Sequence, residues 1–161
     1  MNAEQILADE FEKLKGLLID RYDAKKMRAS GNWAKELEEK TEGLNASIWG
    51  LPYSEQLESG RVPTSSSPKS GPVTLREAIE DWINDKSIKP KDDISVSSLA
   101  FLIARKIHRE GWNREKYNGL NLISEVITPA WIQSVIDKVS KFQISEFSSE
   151  VINIYKQLEP R

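Results

Sequence analysis

The chain predicts a helix-rich α+β domain with a small antiparallel sheet. Two observations carry that prediction. Several stretches place apolar residues three and four positions apart, and one pair of short β-prone runs flanks a glycine turn. A length of 161 residues suits a single domain, 1–161, built around one core. Hydrophobic residues at 39% and charged residues at 30% are ordinary for a soluble globular protein.

The first element is a helix. Leu7, Phe11, Leu14, Leu18 and Tyr22 share one face. Acids at Glu4, Asp9, Glu10 and Glu12, with Lys25, Lys26 and Arg28 behind them, match the helix dipole. Ser30-Gly31 is the expected break. A helical turn and a strand both fit 33–37. A hairpin follows, with Glu36 to Thr41 pairing with Asn45 to Gly50 across Glu42-Gly43. Tyr53 to Glu58 fit a short helix after Pro52.

Residues 59–73, SGRVPTSSSPKSGPV, are too rich in serine, proline and glycine to build a core. A loop of this length either binds something or is simply a surface loop. It is the candidate docking arm.

Thr74 and Glu77 then form a capping box for a helix that buries Leu75, Ile79, Trp82 and Ile83. After the polar run DKSIKPKDDISV, Ser97 or Ser98 caps a second helix. Its stripe is Leu99, Leu102, Ile103 and Ile107, widened by Phe101 and Ala104, and Gly111 is its C-terminal cap. Residues 119–127, GLNLISEVI, fit a strand or an irregular segment. Thr128-Pro129 starts a helix carrying Ile132, Val135, Ile136 and Val139 on one face. A last helical stretch, from about Ser145 to Leu158, aligns Phe147, Val151, Ile154 and Leu158. Without a proline or glycine between them, the two stretches are free to be one helix. Residues 113–161 thus form a C-terminal helical extension.

Composition excludes several functions. With no cysteine, disulfide and thiolate chemistry are ruled out. A net charge of −2 gives the whole chain no electrostatic case for wrapping nucleic acid. No apolar run is long enough to cross a bilayer, and MNAEQILADEFEK lacks the pattern of a signal peptide. The expected location is therefore the cytoplasm, or a particle assembled there.

Candidate chemistry is sparse. His108 is the single histidine, and it has no second histidine or cysteine with which to hold a metal. A surface or interface histidine is the simpler role. Glu36, Glu38 and Glu39 alternate with lysines as a solvated face does, and Asp92-Asp93 lacks the spaced ligands of a calcium loop. No GxSxG, Walker A or GxGxxG motif occurs. Catalytic, metal and cofactor sites are therefore expected to be absent. Arg105, Lys106, Arg109, Arg114 and Lys116, with Trp112 among them, form a locally basic segment. Such a segment can bind a phosphate or stack a base. A subunit interface is preferred here because the total charge is acidic. Of the five tryptophans, Trp82 and Trp131 are expected in the core, and burial is also the expectation for Trp49. Trp33, Trp49 and Trp112 are interface candidates.

Four segments occur in one order: SGNWAKELE at 30–38, SIWGLPYSEQLESGRVPT at 47–64, LREAIEDWI at 75–83 and SLAFLIARKIHREGW at 98–112. Together they resemble the head–tail connection and tail-completion family of lambda-like siphophages, over roughly residues 28–112. Matching by position, Glu58, Gly60, Arg61 and Pro63 fall on the family's turn motif. Ala104, Arg105, Lys106, Arg109, Glu110 and Gly111 fall on its helix motif. The serine-rich stretch 64–71 is long for the family, and nothing after residue 112 has a counterpart in it.

The resemblance implies a structural virion protein, not an enzyme and without a cofactor. Six or twelve copies would form a ring in the neck or at the tail end. That ring would join portal or adaptor proteins to tail proteins and enclose DNA without reading its sequence. Neck ring and tail terminator both stay open. The candidate interface residues are Tyr53, Glu58, Gly60, Arg61, Pro63, Arg105, Lys106, Arg109 and Trp112. Physically, Gly60 permits a left-handed turn, and Arg61 can fork onto a carboxylate such as Glu58 or one on a neighbour. The alternative is a small DNA-binding regulator whose helix at 98–111 enters a groove. An enzyme using scattered acids is the third and weakest possibility.

Overall fold

A computed structural model describes residues 2–64, 73–91, 93–112 and 121–158. The core of the predicted arm, 65–72, and the basic residues Arg114 and Lys116 lie outside this set, as does Asp92. The described residues form α1 (Ala3–Ala24), α2 (Asn32–Lys35), β1 (Glu38–Glu42), β2 (Asn45–Trp49), α3 (Ser54–Ser59), α4 (Leu75–Asp85), α5 (Val96–Glu110) and α6 (Pro129–Leu158). The fold is thus helix-rich α+β with one two-stranded antiparallel sheet. No strand forms among 121–127, which run as turns into α6.

The chain divides into two compact units. The first holds 2–21, 36–51 and 123–158 of the described residues. Here α1 buries Leu7, Leu14 and Leu18 at the predicted helical spacing. Phe11 meets Trp131 edge-to-face at 5.7 Å, so Trp131 is half-buried against α1 rather than enclosed. Glu10 is buried too, and it accepts from Lys13 and Lys138, each at 2.7 Å. Both lysines hold its carboxyl below the ordinary carboxylate value, Lys13 first. Arg21 pairs with Glu125.

The hairpin pairs Glu38 with Trp49 and Glu42 with Asn45, so its turn is Gly43-Leu44, one residue later than predicted. Glu36 and Leu37 precede the strand, and Leu37 is buried. The period of two turns Glu39, Thr41, Ala46 and Ile48 inward. That register puts Trp49 on the outer face, 60% exposed, which corrects its expected burial. Lys40 lies over its ring at 5.4 Å.

Thr128 caps α6 by accepting the Trp131 N–H at 3.2 Å. The two predicted C-terminal stretches are one helix of 30 residues. Of the predicted first face, Val135 is buried and Val139 half-buried, whereas Ile132 and Ile136 are exposed. Every residue from Gln143 to Leu158 is exposed.

The second unit holds 22–35, 52–64, 73–91, 93–112 and 121–122. Helix α1 stops before the predicted Ser30-Gly31 break. Lys26 adopts φ 54, and the Met27 N–H reaches back to the Tyr22 carbonyl at 3.1 Å. Trp33, in α2, is only 2% exposed, which removes it from the interface candidates. Its ring sits 4.7 Å from Tyr22, and its indole N–H donates to Ser54 at 2.9 Å. Burial pushes the Tyr22 phenol above its ordinary pKa.

Helices α4 and α5 pack together. The predicted capping box at Thr74 and Glu77 is present. The cap of α5 is Ser95 rather than Ser97 or Ser98, accepting the Ser98 N–H at 3.1 Å. The buried face of α5 is Ala100, Ala104 and Ile107, while Phe101 and Leu102 are half in solvent. Two alanines one turn apart suit close helix approach. On α4, Ile83 is enclosed, whereas Trp82 is 38% exposed and corrects its expected place in the core.

Candidate functional site

Two helices of the second unit end alike. Gly60 follows α3 at φ 83, ψ −162, and Gly111 follows α5 at φ 74, ψ −168. This region of backbone space is essentially reserved for glycine. Each glycine N–H still bonds back into its helix: Gly60 to the Gln56 carbonyl at 3.0 Å, and Gly111 to that of Ile107 at 2.8 Å. The chain then turns sharply, and the next residues meet. The Arg61 N–H donates to the Trp112 carbonyl at 2.7 Å, and the Trp112 N–H donates to the Arg61 carbonyl at 2.6 Å. Together they form an antiparallel bridge.

The fit around this bridge is close. A Cβ on Gly111 would fall well inside 3.0 Å of the Arg61 carbonyl oxygen, with the Pro63 ring at 3.0 Å. Thr64 Oγ1 lies 2.7 Å from Nδ1 of His108, one further tie between the two segments. The Glu58 carbonyl accepts the Asn121 N–H at 3.0 Å. Glu58, Gly60, Arg61, Pro63 and Trp112, drawn from two motifs about fifty residues apart, therefore sit at one clasp.

The clasp carries a charged flank. Arg105, Lys106 and Arg109 are exposed along α5, and Trp112 is 39% exposed at its end. Glu110 tempers this cluster, lying 2.8 Å from Arg109 and 3.9 Å from Lys106. Surface pairs of this kind add little stability. Their presence leaves a surface of mixed sign rather than a uniformly basic one. Tyr53, half-exposed before α3, lies at the other end of that helix from Gly60 and so outside the clasp.

The one hydroxyl–imidazole contact at the clasp, Thr64 with His108, lies at the exposed surface. Among the described residues no group of three or more histidines, cysteines or carboxylates could hold a metal. No described helix is long and apolar enough to cross a membrane. In the first unit, a shallow open groove runs between Ile6 and Glu10 of α1 and Lys138 and Phe142 of α6. Its one buried charge, Glu10, is already taken by Lys13 and Lys138.

Sequence reasoning placed the clasp residues in two separate motifs and missed that they pair. The available signal was the repeated order of helix, glycine, then a residue able to extend. It missed Thr64 altogether. No protein-family model, curated protein or solved structure matches the chain.

Proposed function

We propose that the protein is a structural ring subunit of a siphophage neck or tail end, joining head-side and tail-side proteins around the DNA path. One observation carries the proposal. The turn motif at 58–63 and the segment 98–112, which both carry the family resemblance, meet at one clasp. A clasp of main-chain bonds is rigid, and rigid display of Arg105, Arg109 and Trp112 suits repeated subunit contacts. Ring contacts are head-to-tail, so each subunit needs two different complementary surfaces. The mixed-sign flank of α5 supplies one of them.

The test is the shape of the assembly. Negative-stain microscopy of the purified chain, alone and with portal and tail-tube proteins, should show closed rings with a central channel. Reversing Arg105 and Arg109 to glutamate should break the rings without changing the circular dichroism spectrum, because both side chains are exposed. A chain that stays monomeric with those partners and binds duplex DNA with a steep salt dependence would be a DNA-binding protein instead.

A further inference from the structure

We infer that residues 143–158 of α6 form a self-association helix, packing in parallel against the same segment of other copies of this chain. Ile144, Phe147, Val151, Ile154 and Leu158 are between 47% and 75% exposed. Their spacing is three, four, three, four, which is the seam of a coiled coil. At 3.6 residues per turn, Phe147 lies roughly 140° around the helix from Phe142. Phe142, with Val135 and Lys138, belongs to the side that faces α1. The helix therefore has a second apolar side, turned away from its own unit.

A second copy is the occupant that fits. The positions flanking the seam are Gln143, Ser148, Tyr155 and Gln157, with Glu150 the one charge. In parallel register Glu150 faces Tyr155 of the next helix, so no like charges oppose one another. A seam built to select a foreign helix would carry charges at these positions. Ile144 and Val151 at one set of seam positions, with Ile154 at the other, favour more than two strands. Six side chains, the five of the seam with Tyr155 beside it, offer roughly 600 Å² per copy at about 100 Å² each, and a specific interface must clear about 1,000 Å² over its two partners. A lipid surface suits the segment poorly, since Glu146 and Glu150 outnumber Lys156.

The chain has no cysteine, so one introduced thiol is unique. Full-length Val151→Cys should form a disulfide-linked dimer under mild oxidation, and Asn153→Cys, on the other side of α6, should not. Phe147→Glu with Val151→Glu should raise the self-dissociation constant at least ~100-fold by sedimentation velocity. Its thermal melt should match the parent at low concentration. Equal cross-linking of the two cysteine variants, retention of the assembly by the double glutamate variant, or flotation with anionic vesicles would each overturn the inference. Failure of the ring proposal reads differently. Assembly lost on reversal of Arg105 and Arg109 but kept by the double glutamate variant leaves the ring and removes this seam. The opposite pattern, without rings, leaves the seam and removes the ring.

Discussion

Gly111 is the position where the backbone leaves least choice. Its torsions are closed to other residues, and an added methyl would meet the Arg61 carbonyl. Gly111→Ala should cost about 3 kcal/mol, read as a lower urea midpoint. Ser87 presents the opposite case. It ends α4 at φ 50, with the Ile88 N–H bonded to the Ile83 carbonyl at 2.9 Å. Glycine fills this left-handed position without a steric penalty, so Ser87→Gly should raise stability by about 1 kcal/mol in the same measurement. The sequence revealed Gly111 as a cap because glycine there has few other uses. It concealed Lys26 and Ser87, because nothing in a lysine or a serine announces a positive φ. Tryptophans were legible as important but not as buried or exposed. Trp49 faces outward because its neighbour Ile48 takes the inner face of the strand, and Trp33 is enclosed by Tyr22 and Ser54 from other segments, so neither fate shows in the residue itself.

Helices and their caps were the most legible elements. The Thr74–Glu77 box, the Thr128 cap and the run of α1 follow from local spacing, and local spacing is all that they need. The faces of α5 and α6 were less legible, because both helices carry apolar residues on more than one side. The contact of Glu10 with Lys138 spans 128 positions, so no window along the chain could have found it. It sets a pH dependence. Lys13 and Lys138 hold the folded carboxyl below 4.5, its ordinary value. Its stabilising contribution is therefore complete above that pH, and is lost as pH falls through the lower folded value. Glu10→Gln should cost about 1 kcal/mol at neutral pH. The gap between variant and parent in urea unfolding should close as the solution is acidified below 4.5.

At the scale of the molecule, apolar surface is distributed unevenly. The outer half of α6 is exposed throughout, although large apolar or aromatic residues recur along it from Ile144 to Leu158. Association through such a surface is not screened by salt, whereas contacts through the α5 flank are. The sedimentation profile of α6-linked species should stay the same from about 0.1 M to about 1 M sodium chloride. The α+β class was legible in the sequence because it is a sum of local patterns. The two-unit arrangement was not, because its segments alternate along the chain and only tertiary contacts assign them.

The Arg61–Trp112 pair also has a kinetic side. Its partners are 51 positions apart (112 less 61), so the pair closes a long loop that contains α4 and α5. Closing such a loop early would cost chain entropy before its two hydrogen bonds could repay it, so the clasp belongs late on the folding route. A late contact governs escape from the native state more than arrival at it. Loosening it at Gly111 should therefore leave the refolding rate near that of the parent and accelerate unfolding roughly 100-fold. The glycine that the clasp requires is thus a latch on the lifetime of the fold.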